Sequence, residues 1–255
     1  MRPETAHRPS GTGLNPVAER AAALNARYRH HGAIAVLRHA MEDPEVGRLA
    51  LVSSFGAESV VLLHMVAVTD RHLPVLFIDT EMLFAETLAY QLELTERLRL
   101  TDVRVIRARQ EDITARDKDG LLHRVDPDAC CTLRKTEPLQ RALLDFDAWI
   151  TGRKRYQGGA RAALEFFEAE GDLRIKVNPL AHWTSRDVQD YIEENRLPRH
   201  PLVAKGYPSI GCAPCTTRVN EGEDPRAGRW RNLDKTECGI HIVDGRILRG
   251  GSVAA

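Results

Sequence analysis

The stretch Leu49-Ala50-Leu51-Val52-Ser53-Ser54-Phe55-Gly56-Ala57-Glu58-Ser59-Val60 decides how this chain folds. Four apolar residues of strand length, a turn of small and hydroxyl-bearing residues, and an apolar run of helix length at 60–68 describe a buried strand feeding a helix. A loop in that position offers backbone N–H groups at the positive end of a helix, where phosphate binds. Gly56 lets the backbone approach an oxyanion closely, and Ser53, Ser54 and Ser59 add hydroxyl donors. A helix N-cap followed by a turn glycine accounts for the same residues equally well.

The pattern repeats outward. Residues 74–79 read as a second buried strand, 84–100 as a helix, 103–106 as a third strand and 148–151 as a fourth. Residues 15–41 carry apolar positions at helical spacing, and 131–146 read as a helix interrupted early by Pro138. Such alternation predicts an α/β fold, a mostly parallel sheet with helices on both faces, whose ligands collect at the carboxyl ends of the strands. Past Pro179 the strand signal fades, leaving a helix at 185–195 and a segment punctuated by proline and glycine. The expected organisation is a flexible tail over 1–14, an α/β domain over 15–217, and a C-terminal segment over 218–255 with a mobile end.

Composition excludes several classes. The 255 residues hold 36 basic and 36 acidic side chains, so nothing favours bulk attraction to nucleic acid or anionic membranes. The polar start lacks an apolar signal segment, and the apolar run 60–68 is too short to span a bilayer. A cytoplasmic protein is expected, and there clustered cysteines bind metal or do chemistry more often than they form disulfides.

The cysteines are clustered. Cys130 and Cys131 are adjacent, Cys212-Ala-Pro-Cys215 forms a stiff turn, and Cys238 stands apart. Adjacent thiols are a poor zinc signature, whereas they can bind different irons of one cuboidal cluster. The Cys212-x-x-Cys215 turn alone suits a zinc knuckle or redox dithiol, and the four together favour one [4Fe-4S] cluster. A second anion candidate, Gly152-Arg153-Lys154-Arg155-Tyr156-Gln157-Gly158-Gly159-Ala160-Arg161, sets four cations among glycines, although composition alone would make it a solvated surface loop. Lys135 follows Cys131 by four residues, one helical turn.

Ser-Phe-Gly-Ala-Glu-Ser, the basic loop, the paired cysteines and Lys235-Thr236-Glu237-Cys238-Gly239-Ile240-His241 together resemble the iron–sulfur adenylyl-sulfate reductases of assimilatory sulfate reduction, within the family that also acts on 3′-phosphoadenylyl sulfate. The resemblance runs from about Leu51 to His241. Phe55 stands where related pyrophosphate-binding loops carry glycine, and Gly158 where the family's arginine loop commonly has serine. The resemblance implies a Rossmann-like, adenine-nucleotide-alpha-hydrolase-like fold and one [4Fe-4S] cluster on Cys130, Cys131, Cys212 and Cys215. It implies catalytic roles for Cys238, Lys135 and His241, and substrate contacts from Ser53, Ser54, Gly56, Ser59, Gly152, Arg155, Arg161, Arg226 and Arg229.

The implied reaction is attack of the Cys238 thiolate on the sulfur of adenosine 5′-phosphosulfate, expelling AMP and leaving a thiosulfonate that an external dithiol, the family's thioredoxin, releases as sulfite. Three alternatives stay open. The substrate could be 3′-phosphoadenylyl sulfate, although members specific for it typically lack the four cluster cysteines. A pyrophosphate-loop RNA thiolase would need a glycine-rich loop and a basic surface, and a zinc-binding interaction module would leave Cys238 and both anion loops without purpose. No membrane or nucleic-acid partner is expected; a homo-oligomer is compatible with the sequence.

Overall fold

A computed structural model describes residues 15–231 together with 235, 239, 240, 242, 243, 246 and 247. The tail expected at 1–14 and the mobile end expected beyond 247 lie outside the described residues.

Six strands form one sheet: β1 (Leu49–Ser53), β2 (Val75–Ile78), β3 (Val103–Ile106), β4 (Ala148–Ile150), β5 (Phe167–Glu170) and β6 (Arg174–Val177), in the order β3-β2-β1-β4-β6-β5. All neighbours are parallel except β5, which runs antiparallel to β6 at one edge. Leu51 pairs with both Val75 and Ile150, so β1 is the sheet's centre. Chain direction across the sheet reverses between β1 and β4. The loops leaving these two strands therefore part, and a crevice opens at their carboxyl ends.

Strand side chains alternate between faces and build two cores. Leu49, Leu51, Val75, Phe77, Ile150, Ile175 and Val177 join the larger core, with helices α1 (Pro16–Tyr28), α2 (Ala33–Glu42), α3 (Ser59–Asp70), α4 (Ala85–Arg97) and, later in the chain, a helix over Ser185–Glu194. Ala50, Leu76, Ile78 and Trp149 face the other way, against Leu139 and Leu143. The helix α3 buries Val60, Val61, Leu62, Leu63, Met65 and Val66 because its neighbours cover nearly every side of it.

Between β3 and β4 the chain makes α5 (Gln110–Arg116), α6 (Leu122–Val125), α7 (Pro127–Cys131), a π-helical turn (Thr132–Thr136) and α8 (Glu137–Ala142). The Ser185–Glu194 helix is α9; Thr184 and Asp187 cap it reciprocally.

Three expectations change. Residues 15–41 form two helices, parted before Gly32, which opens α2. The interruption near Pro138 is a wide turn: proline cannot donate to the carbonyl four residues back, and the widened Thr132–Thr136 turn falls just before it. Strands β5 and β6 were not anticipated, because Glu168, Glu170, Arg174 and Lys176 break the apolar run that marks a buried strand. Three of these charges pair across the two strands, and Glu168 pairs with Arg153. Glu170 lies 3.3 Å from Lys176 and 3.4 Å from Arg174, accepts from Trp149 Nε1 at 3.0 Å, and Lys176 Nζ sits 5.3 Å from the Trp149 ring centre.

The segment after α9 is tied to α4. Tyr90 donates to the Pro198 carbonyl at 2.7 Å, and His200 Nε2 meets the Thr87 hydroxyl at 3.1 Å. Burial holds His200 down at about 4. An unfolded histidine takes its proton near 6.5, so the neutral side chain's contribution is intact above that pH and is lost as pH falls toward 4, roughly 3 kcal/mol in all. Denaturant titrations from pH 7 to 4 should show this slope, and His200→Gln should flatten it.

Candidate active site and thiol centre

A cleft of about 270 Å³ occupies the crevice between β1 and β4. Ser53, Ser54, Gly56 and Ser59 line one wall; Gly152, Arg153, Lys154, Tyr156, Gln157 and Arg161 line the facing one. Lys135, Asp224, Arg226, Arg229, Trp230 and Ile240 complete it. Six basic side chains against two acidic ones, Glu58 and Asp224, make the cleft a receptor for an anion.

The first loop is held in a shape glycine normally supplies. Phe55 adopts φ 48°, a left-handed conformation costing an ordinary residue about 1–2 kcal/mol. Its ring is fully buried edge-on to Phe77, with centres 5.1 Å apart. The Phe55 amide donates to Ser53 Oγ at 3.2 Å and the Gly56 amide to Ser59 Oγ at 3.0 Å. A Cβ on Gly56 would stand 3.3 Å from Ser54 Oγ and 3.4 Å from the Ile210 carbonyl, tighter than an ordinary contact.

The basic loop spends most of its charge internally. Lys154 is buried and donates to Glu58 Oε2 at 2.7 Å, while the Tyr156 hydroxyl donates to Glu58 Oε1 at 2.5 Å. Burial acts to raise the Glu58 carboxyl, but the Lys154 charge, the hydrogen bonds from Lys154 and Tyr156 and the Arg226 charge together leave the group below its usual range. Burial pulls the Lys154 ammonium down, with Glu58 opposing. Arg153 is paired with Glu168. Arg155, expected in the cleft, instead donates to the Leu164 carbonyl at 2.6 Å and Glu165 Oε1 at 2.8 Å, outside the cleft lining. Arg161 donates to Gln157 and does line the cleft. Glu58 sits in a motif plain in the sequence, but only folding shows that it binds the two anion loops together.

Arg229 NH1 reaches the Ile210 carbonyl at 3.3 Å, its guanidinium lies 4.4 Å from the Trp230 ring centre, and its Nε is buried without a hydrogen-bond partner. A Cβ on Gly211 would fall 2.3 Å from an Arg229 nitrogen, so the glycine before Cys212 makes room for that arginine.

A second, smaller cavity is lined by Cys130, Cys131, Cys212 and Cys215, with Thr80, Arg134, Lys135 and Trp230 among its other walls. Its two halves meet through residues 80–84. Arg134, on the π turn, is buried, pairs with Asp117 at 2.8 Å and donates to the Thr80 carbonyl at 3.0 Å. The Thr80 hydroxyl lies 3.2 Å from Cys212 Sγ, and the Ala213 amide donates to the Met82 carbonyl at 2.8 Å. Burial and the neighbouring thiols push Cys130 up to about 12. Burial likewise raises Cys215, whereas at Cys212 the Lys135 charge and the Thr80 hydroxyl overcome burial and lower the thiol. Among the described residues no three His, Cys, Asp or Glu side chains converge as ligands of a single ion. Lys135 and Trp230 line both cavities and form their common wall. Across the π turn Thr132–Thr136, Lys135 lies on the thiol side, as its spacing from Cys131 suggests.

Cys238 and His241 lie outside the described residues. On either side of Cys238, Lys235 bonds to Asp128 and Ile240 lines the cleft.

The sequence matches the phosphoadenosine phosphosulfate reductase domain family over residues 48–218. It is 50% identical over 232 residues to a Mesorhizobium japonicum protein named adenosine 5′-phosphosulfate reductase, covering 91% of each chain. A Salinibacter ruber protein of the same name is 40% identical over 227 residues, covering 87% of this chain and 88% of that one. The crystal structure of phosphoadenylyl-sulfate reductase from Candida auris, a phosphate complex, aligns with TM-score 0.68 at 28% identity, covering 82% of this chain and 100% of the other. A Candida glabrata FMN adenylyltransferase shares the fold at TM-score 0.53 and 16% identity, over 82% of this chain and 76% of its own.

Two substitutions test the scaffold. Asp117→Ala strands a buried guanidinium and should cost about 3–5 kcal/mol in denaturant unfolding. Gly211→Ala should displace Arg229 and weaken binding of AMP, read by calorimetry, with little change in unfolding midpoint.

Proposed function

The chain belongs to the phosphoadenosine phosphosulfate reductase domain family, and on that premise we propose that it reduces adenosine 5′-phosphosulfate to sulfite and AMP in assimilatory sulfate reduction. The observation that carries the reading is a serine-lined, cation-rich cleft at the sheet's switch point that shares the Lys135 wall with a four-thiol cavity.

Cys238 is the nucleophile. Its thiolate attacks the sulfate sulfur, forming an S–S bond as the S–O bond to AMP breaks and the electron pair passes to the AMP phosphate oxygen. Arg161, Arg226, Arg229 and Lys135 hold the charged groups and screen the approaching anion, as preorganised cations do in a water-poor site. Ser53, Ser54, Ser59 and the Gly56 backbone cradle the phosphate side, and His241 belongs to the nucleophile's segment. A thiolate of an external dithiol then attacks Cys238 Sγ, sulfite leaves with the bonding pair, and the donor's second thiolate resolves the mixed disulfide, regenerating the Cys238 thiolate. The donor is thioredoxin or a similar dithiol, because four of the five cysteines serve as ligands and none remains to resolve the disulfide.

Cys130, Cys131, Cys212 and Cys215 fit one [4Fe-4S] cluster: they are soft thiol donors from two pairs around one space, and burial with neighbouring thiols raises Cys130 and Cys215 in a way that a cationic core relieves. When bound, it supplies charge compensation beside the Lys135 wall, and the sulfur chemistry stays with Cys238. A cytoplasmic setting, where thiols stay reduced, suits the clustered cysteines.

The test uses anaerobic protein incubated with adenosine 5′-phosphosulfate without reductant. The Cys238 peptide should gain one SO₃ group by mass spectrometry with equimolar AMP released, and turnover should prefer this nucleotide over its 3′-phosphorylated form. Cys238→Ser should abolish sulfite release and keep AMP binding and visible cluster absorbance; a variant that still turns over would overturn the assignment.

A further inference from the structure

Lys235 precedes Cys238 by three residues, and its side chain is already engaged. Its ammonium donates to Asp128 Oδ1 at 2.6 Å and to the Pro127 carbonyl at 3.1 Å, and the side chain is only 7% exposed. Pro127 and Asp128 open the short helix α7, whose last two residues are Cys130 and Cys131. The same ammonium lies 5.9 Å from the ring centre of Trp230, the residue that forms the wall between cleft and thiols. Trp230 is itself pinned: its amide donates to the Cys215 carbonyl at 3.1 Å, Arg229 stacks on its ring, and it is buried at φ 49°. A bulky residue in that region stays there only when its surroundings over-determine it, a condition common at functional sites.

We infer that Lys235, clasped by Asp128 and Trp230, is a latch that ties the chain three residues before Cys238 to the thiol-bearing helix, making Lys235 and Asp128 positioning residues for sulfur transfer. The inference rests on the reading of Cys238 as nucleophile. Three residues of chain span at most about 11 Å, so anchoring Lys235 confines where Cys238 can go. On the other side, buried Gly239 takes φ 56° and Ile240 joins the cleft wall, so the chain is tied down both before and after the thiol. Holding a nucleophile near its target acts on the chemical step, and displacements on the order of 1 Å can cost a hundredfold in rate. The Asp128 end is about half exposed, so the pair's value lies in placement rather than in stability.

A rival role for Lys235, as a charge that merely eases the nearby thiols, predicts a different pattern. It requires the ammonium and has no need of Asp128. The experiment is a double-mutant cycle on the iron-loaded enzyme with Lys235→Met, Asp128→Ala and both together. Three quantities are read: the single-turnover rate of Cys238 adduct formation at saturating adenosine 5′-phosphosulfate, AMP affinity, and the rate at which iodoacetamide alkylates Cys238 with AMP bound. The latch predicts that each single variant slows adduct formation on the order of tenfold to a hundredfold, that the double variant is no slower than either, that alkylation quickens several-fold, and that AMP affinity stays within about twofold. Lys235→Arg, which keeps the bond, should restore most of the rate. Normal adduct formation or unchanged alkylation in Asp128→Ala would overturn the latch, as would additive losses. Visible absorbance lost in the single variants and not regained in Lys235→Arg would show a structural role instead and also overturn it. Failure of the unaltered enzyme to form any Cys238 adduct would sink the functional reading rather than the latch.

Discussion

Two cysteine pairs far apart in sequence can serve one centre only if something brings them together, and here that is the grip on residues 80–84. Arg134 holds this loop from the side of Cys130 and Cys131, through the Thr80 carbonyl. The Cys212 turn holds it from the other, through the Thr80 hydroxyl and the Met82 carbonyl. Burying the Arg134 guanidinium is tolerable because Asp117 meets it with two bonds, at 2.8 and 3.0 Å. The π turn matters for the same reason. On it, Arg134 reaches inward to the loop and Lys135 lines the wall shared by both cavities.

Charge in the cleft is divided between structure and chemistry. Arg153, Lys154 and Arg155 look like a contiguous anion trap, yet each is matched to a glutamate: Glu168, Glu58 and Glu165. Their role is to set the loop's shape. Gln157 relays the Glu58 anchor to Arg161, so one of the loop's cations reaches the cleft in a defined orientation. Arg226 and Arg229 come from a different part of the chain, which lets two segments close on the same anion. The distribution suits a substrate carrying both a phosphate and a sulfate group.

Phe55 shows how the loop after β1 departs from a glycine-rich phosphate loop while keeping its outline. It accepts a left-handed backbone in return for complete burial against Phe77, which makes the loop part of the core. A loop fixed in that way has less freedom to wrap a long polyphosphate chain, and suits a ligand with a single phosphate.

Much of this was legible in the linear chain. β1, β2 and β4 are buried, so each appears as an unbroken apolar run; β3, at the sheet's edge, shows only as a short β-branched run around Arg104, and the alternation of strands with helices implies the parallel sheet. The serine loop, the basic loop and the paired cysteines are likewise local patterns. What they touch is not local. Strands β5 and β6 escaped notice because their charges are neutralised by partners on other strands, visible only once the sheet is assembled. Arg155 carries the same charge as Arg161, and only folding turns one toward Glu165 and the other into the cleft. Trp230 and Lys135 gain their shared position from two cavities that no single segment encloses. Spacing along a chain encodes periodicity and so the elements; burial and pairing energies depend on which surfaces finally meet, and those are settled only in three dimensions.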